Sequence, residues 1–224
     1  MMVLKRIFLV AVCACAFGID DVFDNIPSQF SGWSFAVHGG ALAPAGDFEF
    51  ELEDDGAVST TILREPAAPL VRLSTSYLRE RDLWVTGGQF FVESGFTDVE
   101  FFVTQDVVFN SQYKYSMGGS GRLGFLFNPA TLVSVHAGGG YARYGYHIVS
   151  DEAEEHSAWY ADVGVSSAVG ILMTWALELD LGGRFYAQNA FVALSGDGPG
   201  TAVAITPSKY AVYGTIAMVY RADS

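Results

Sequence analysis

The sequence predicts an all-β protein: an eight-stranded antiparallel up-and-down transmembrane β-barrel, preceded by a signal peptide. Three observations lead there. Apolar and polar residues alternate with a period of two along eight stretches. The connections between those stretches alternate between short and long. Charged residues make up only 17% of the 224 positions while half are apolar, whereas an ordinary soluble domain carries roughly 25% charge. No run after residue 20 is long and apolar enough for a spanning helix, which needs about 20 residues, and helical periodicity is absent.

The chain opens MMVLKRIFLVAVCACAFGIDD. Lys5 and Arg6 precede an apolar run over 7–16 that is too short to cross a bilayer as a helix, and Ala14-Cys15-Ala16 is a small-residue cleavage pattern. Residues 1–16 are therefore expected to be a signal peptide, its end placed to within two residues, with 17–30 a periplasmic N-terminal segment and 31–224 the barrel. Lipidation at Cys15 is a rival processing route. Both cysteines, Cys13 and Cys15, lie in this leader, so cleavage leaves no thiol for catalysis or for zinc.

The first expected strand, GWSFAVHGGA (32–41), sets Trp33, Phe35 and Val37 against Ser34, Ala36 and His38. The second, VRLSTSY (71–77), and the third, WVTGGQFFV (84–92), are joined by a short LRERD; the third has blurred parity. The fourth, 112–127, opposes Tyr113, Tyr115, Met117, Leu123 and Phe125 to Gln112, Lys114, Ser116, Ser120 and Arg122. Only NPAT separates it from the fifth, 132–148, whose polar row includes Ser134 and His136. The sixth (159–171) and seventh (176–188) are again joined by a short turn, and the eighth (209–220) places Tyr210, Val212, Ile216, Met218 and Tyr220 on its oily side. Long gaps fall at about 42–69, 93–111, 149–157 and 192–207.

Parity alone does not say which face is outside, because a soluble lipocalin-like barrel alternates with its oily face inward. The polar rows here are mainly Gly, Ser and Ala rather than the Lys, Glu and Thr of a solvated sheet. Several strands reach the 9–11 residues or so of a tilted membrane crossing. Aromatic residues sit at strand ends, with Trp33, Trp84, Trp175 and Tyr220 at the short-turn edge and Tyr113, Tyr141, Trp159 and Tyr210 at the other, as two interfacial girdles would be. The oily face is expected to look outward, into lipid.

Three stretches resemble one family. VGVSSAVGILMTWALELDLGGRFYAQ (163–188) is similar to the paired strands of small OmpA/OmpX-type outer-membrane β-barrels, GWSFAVHGGALAP (32–44) to their first strand and TIAMVYRAD (215–223) to their closing strand. The resemblance implies a bacterial outer-membrane location, with outer-membrane lipids and the barrel-assembly machinery as partners. One departure stands out. The family usually ends on an aromatic residue, but here Tyr220 is followed by Arg-Ala-Asp-Ser.

Eight strands leave a lumen just filled by side chains, so charges on the polar rows must pair there. Arg72, Lys114, Arg122, Asp162, Glu178, Asp180 and Arg184 are expected to form such an interior network, with His38 near mid-height. The loop sequences DFEFELEDD (47–55) and DEAEEH (151–156) make the outer surface acidic, and loops 42–69 and 93–111 are candidates for an extracellular partner. A net charge of −13 excludes nucleic acid, which needs clustered Lys and Arg. No metal motif is present, the glycine-rich runs open no helix of a βαβ unit, and no cofactor is expected. His147, Ser150 and Glu154 lie near the outer rim, but their spacing does not match the H-x-S of barrel lipid A deacylases, so catalysis is not expected. The role expected is structural or surface-interacting, with a plugged lumen. The alternatives are a small pore of ten or more strands, if loop one and 96–108 add a hairpin, and a soluble periplasmic lipocalin-like binding barrel.

Overall fold

The computed structural model describes residues 30–45, 48–54, 57–63, 67–95, 98–102, 108–148, 154–187, 191–193 and 202–222. The expected signal peptide, 1–16, and residues 17–29 lie outside these. All the regular structure described is strand, in the order β1 (Gly32–Pro44), β2 (Phe48–Asp54), β3 (Ala57–Leu63), β4 (Ala68–Arg81), β5 (Trp84–Gly95), β6 (Asp98–Phe102), β7 (Val108–Asn128), β8 (Thr131–Ile148), β9 (Glu154–Leu172), β10 (Trp175–Ala187), β11 (Phe191–Ala193), β12 (Ala202–Thr206) and β13 (Tyr210–Arg221).

Eight of them, β1, β4, β5, β7, β8, β9, β10 and β13, pair antiparallel in sequence order, and β1 pairs with β13 to close the ring. Closure leaves no sheet edge in the wall, which is what lets strands cross a medium without water. Two-residue turns at Asp82–Leu83, Pro129–Ala130 and Met173–Thr174 join consecutive strands at one end. Asp82 takes a left-handed φ of 57°, a conformation that Asp tolerates far better than branched residues do.

The long connections do not enlarge the barrel. β2 and β3 form a hairpin that pairs with β12, so that β11, β12, β2 and β3 make a separate four-stranded sheet at the loop end. β6 pairs only with the beginning of β7, beyond the last β5–β7 pair. The ten-strand alternative is thus overturned. The loops also shrink, because strands take residues 42–44, 68–69, 93–95 and 108–111 from the intervals 42–69 and 93–111. The acidic stretches 47–55 and 151–156 lie partly outside the described residues.

Alternation sorts the side chains as the period dictates. Outward stand Phe35, Val37, Leu73, Phe90, Val135, Val165, Leu177 and Ile216, each between 44% and 57% exposed. Inward, two apolar clusters occupy different heights. The loop-end cluster contains Leu42, Leu70, Phe91, Tyr113, Tyr160, Tyr186 and Tyr213. The turn-end cluster contains Phe30, Leu78, Val85, Leu126, Leu132 and Val219. Phe30, expected to precede the barrel, is only 2% exposed and belongs to the barrel's own filling.

Candidate functional site

Charged side chains from six strands meet inside the barrel. Among the described residues the buried interior groups include four arginines, Arg72, Arg122, Arg184 and Arg221, and four carboxylates, Glu93, Asp162, Glu178 and Asp180. Arg72, Arg122 and Arg184 take these carboxylates as partners, since an unpaired ion in such a space costs several kcal/mol or more, while Arg221 lies over the ring of Phe30.

Glu93 is the centre of the largest cluster. Its Oε2 accepts from Arg72 Nε and from Arg184 Nη2, both at 2.9 Å. Its Oε1 accepts from Arg184 Nη1, from the Tyr113 hydroxyl at 2.5 Å and from Ser116 at 2.8 Å. Arg184 also donates Nε to Asp162 at 3.0 Å, and Arg72 donates Nη1 to Asp180 at 3.1 Å. Asp162 accepts the Tyr213 hydroxyl at 3.0 Å, and His136 Nε2 lies 2.8 Å from that hydroxyl. The guanidinium of Arg72 sits 4.7 Å from the rings of both Phe91 and Tyr213, and that of Arg184 4.6 Å from Tyr160. Each arginine is thereby held by carboxylates in its plane and aromatic faces above it.

Glycine makes the room for this. A Cβ at Gly182 would stand 2.4 Å from the Tyr213 ring, and one at Gly164 would stand 2.5 Å from His136. Nearer the turn end, Arg122 grips Glu178 with two bonds of 3.1 and 2.6 Å. His38 reaches Ser74 at 2.8 Å, and the pairs Ser34–Ser76 and Ser134–Ser166 bond between neighbouring strands at 2.6 and 2.7 Å.

Six of the seven expected interior residues, Arg72, Arg122, Asp162, Glu178, Asp180 and Arg184, lie in this buried set. Lys114 does not. It bonds Glu155 at 2.5 Å on the exposed rim, where Glu155 also pairs with Arg143. The cause is a break in the β7–β8 register between Tyr113 and Tyr115: a bulge there shifts the strand's parity. The same bulge turns Tyr113 inward, 6% exposed, so it belongs to the Glu93 cluster and not to an outer girdle.

Glu93 itself was not foreseen. The third strand was expected to stop at Val92, and its inward row, Val85, Gly87, Gln89, Phe91 and Glu93, mixes apolar with polar residues. A signal existed in the charge count, since the expected network held four cations against three carboxylates.

The other expected girdle residues are outward. Trp33, Trp84, Trp159, Trp175, Tyr210 and Tyr220 are 38–68% exposed. They pair across strands at the turn end as Trp33–Tyr77, Trp84–Phe125 and Trp175–Tyr220, with ring centroids 5.3, 5.5 and 5.0 Å apart. At the loop end Tyr141 pairs with Trp159 and Phe185 with Tyr210, both at 5.4 Å. Between those ends the wall is apolar all round, far beyond the few hundred Å² or so that a soluble surface exposes. Of the rim residues weighed for catalysis, Ser150 lies outside the described residues, and only the backbone of His147 and Glu154 is described.

Comparison with solved structures gives the same architecture. The outer membrane protein OprG from Pseudomonas aeruginosa matches over 87% of this chain and 100% of its own, at 11% identity and a TM-score of 0.53. The fold is that of a small outer-membrane barrel. Neisserial surface protein A (10% identity, 86% and 100% covered, TM-score 0.46) and Ail of Yersinia pestis (13%, 84% and 99%, 0.39) are also similar. No protein-family model and no curated protein sequence matches the chain. An OmpA/OmpX-type fold with a continuous apolar belt places the protein in the bacterial outer membrane, its tight turns toward the periplasm.

Proposed function

We propose that this barrel is a plugged structural or surface-interaction protein of the outer membrane, and neither a pore nor an enzyme. The observation that carries the reading is the Glu93 cluster. Arg72, Glu93, Asp162, Asp180 and Arg184 come from β4, β5, β9 and β10 and bond one another across the lumen. Tyrosines lie on its loop side and an apolar cluster on its turn side. The interior of an eight-stranded barrel is just wide enough for side chains to fill, and side chains bonded across it oppose the passage of a hydrated ion.

With the lumen closed, what the barrel offers its surroundings is the loop end. There the first and fourth long loops join in one small sheet, whose β2 has the acidic sequence FEFELED with Glu49 exposed, a composition suited to a partner bearing cations. The aromatic pairs at both ends serve as interfacial anchors, which is where amphipathic rings are most stable.

Planar-bilayer recording on the refolded protein tests the plug. A closed barrel leaves the bilayer at its background current, and a steady unit conductance would overturn the reading in favour of a small pore. Recovery of the native protein in a carbonate-washed membrane fraction, with an electrophoretic mobility that shifts on boiling in SDS, is expected alongside. Release by carbonate would restore the lipocalin-like alternative.

A further inference from the structure

Among the described barrel residues, outward-facing charge is confined to the two ends. At the loop end Lys209 is exposed, but the strand cations Lys114 and Arg143 both have a carboxylate partner, sharing Glu155. At the turn end Arg79 and Arg81 occupy successive outward positions of β4, roughly 7 Å apart. Both are exposed and neither has a hydrogen-bonding or ionic partner among the described residues. Glu80 faces the other side of the strand, leaving Asp82, in the turn, as the one exposed carboxylate beside them.

Two aromatic pairs flank the arginines. Tyr77 precedes Arg79 on the same face and touches Trp33, while Trp84 lies directly opposite Arg81 and touches Phe125. Thr86 lies opposite Arg79. Thr86 also begins a groove of about 530 Å³ in the outer wall, lined further by Gly121, Leu123, Val135, Ala137 and Val163. The groove exists because Gly121 is bare, although the fold does not demand it. A Cβ there would meet nothing nearer than the Ala137 carbonyl oxygen at 3.9 Å.

We propose that this face binds one anionic phospholipid of the periplasmic leaflet, its phosphate between Arg79 and Arg81 and an acyl chain in the groove over Gly121. Two guanidinium groups match a phosphate by charge and by forked hydrogen bonding. The apolar groove lies in the hydrocarbon zone that the lipid tail already occupies. The inference rests on the outer-membrane reading of the belt and does not depend on whether the lumen conducts.

Native mass spectrometry of the refolded barrel in detergent, titrated with dioleoyl phosphatidylglycerol, tests it. One bound lipid is expected, with affinity about tenfold weaker in Arg79→Gln/Arg81→Gln and also weaker in Gly121→Leu, which fills the groove. Arg143→Gln, at the opposite rim, should bind as the native chain does, and excess inorganic phosphate should not displace the lipid. Unchanged affinity in either of the first two variants would overturn the proposal. So would displacement by inorganic phosphate, or a dimer in place of the lipid adduct. The heat-dependent mobility shift verifies that each variant is folded, and Arg79→Gln alone decides should the double variant fail that check. A heat-shifted native barrel that binds no lipid overturns this site and leaves the plugged barrel standing. A barrel that conducts yet binds one lipid does the reverse.

Discussion

Around Glu93 the lumen holds a cluster of ion pairs, and toward the turn end, around Leu132, it holds mainly apolar side chains beside the single Arg122–Glu178 pair. The two regions share the same strands, and both are almost fully buried. They differ in how each residue depends on its neighbours. In the charged region a carboxylate serves two arginines at once, so one loss strands several groups in a medium that solvates ions poorly. In the apolar region each side chain contributes by volume, so a loss is local and its neighbours relax part of the way. A barrel interior can thus be both highly specific and tolerant at different heights.

Replacing Glu93 by Ala should break this contrast most strongly. It leaves Arg72 with Asp180 alone and Arg184 with Asp162 alone, and about 3–5 kcal/mol of stability should disappear, read from urea unfolding in detergent. Leu132→Ala, in the apolar region, should cost about 3 kcal/mol without altering any polar contact. A smaller loss for Glu93→Ala than for Leu132→Ala would show that water reaches the charged cluster.

The double change Glu93→Leu with Arg184→Met sharpens the point. Its cost should fall short of the sum of the single changes by about 2 kcal/mol or more in a double-mutant cycle, because a buried pair removed whole leaves no orphan ion on that bond. Tyr113→Phe removes one hydrogen bond to Glu93 and should cost about 1.5 kcal/mol. If Tyr113 faced lipid instead, the change would be neutral. The smallest effects belong to the tight turn outside both regions. Asp82→Gly should stay within about 0.5 kcal/mol, while Asp82→Val should cost about 1–2 kcal/mol for its strained φ, in the same unfolding assay.

Much of the interior was legible from alternation. Arg72, Arg122, Asp162, Glu178, Asp180 and Arg184 each fall on a clean polar row, and a period of two assigns such residues to one face whatever the partner strand is. Lys114 and Tyr113 were misplaced because a bulge inserts a single residue and inverts the parity before it, and QYKY offers no local signal of that inversion. Glu93 was missed because Val85 and Phe91 on its row resemble lipid-facing residues, although they fill the lumen.

By itself, then, the chain determined eight alternating stretches, the outward oily face and the placing of tight turns at one end, through local period, composition and turn chemistry. The closing of eight strands rather than ten or more came from the structure. The tertiary structure alone decided which groups share a height. Arg72 meets Asp180 across 108 residues of sequence, and β2 meets β12 across the first and fourth long loops. Such meetings depend on the stagger with which the sheet closes on itself, a property of the whole ring that no single strand carries.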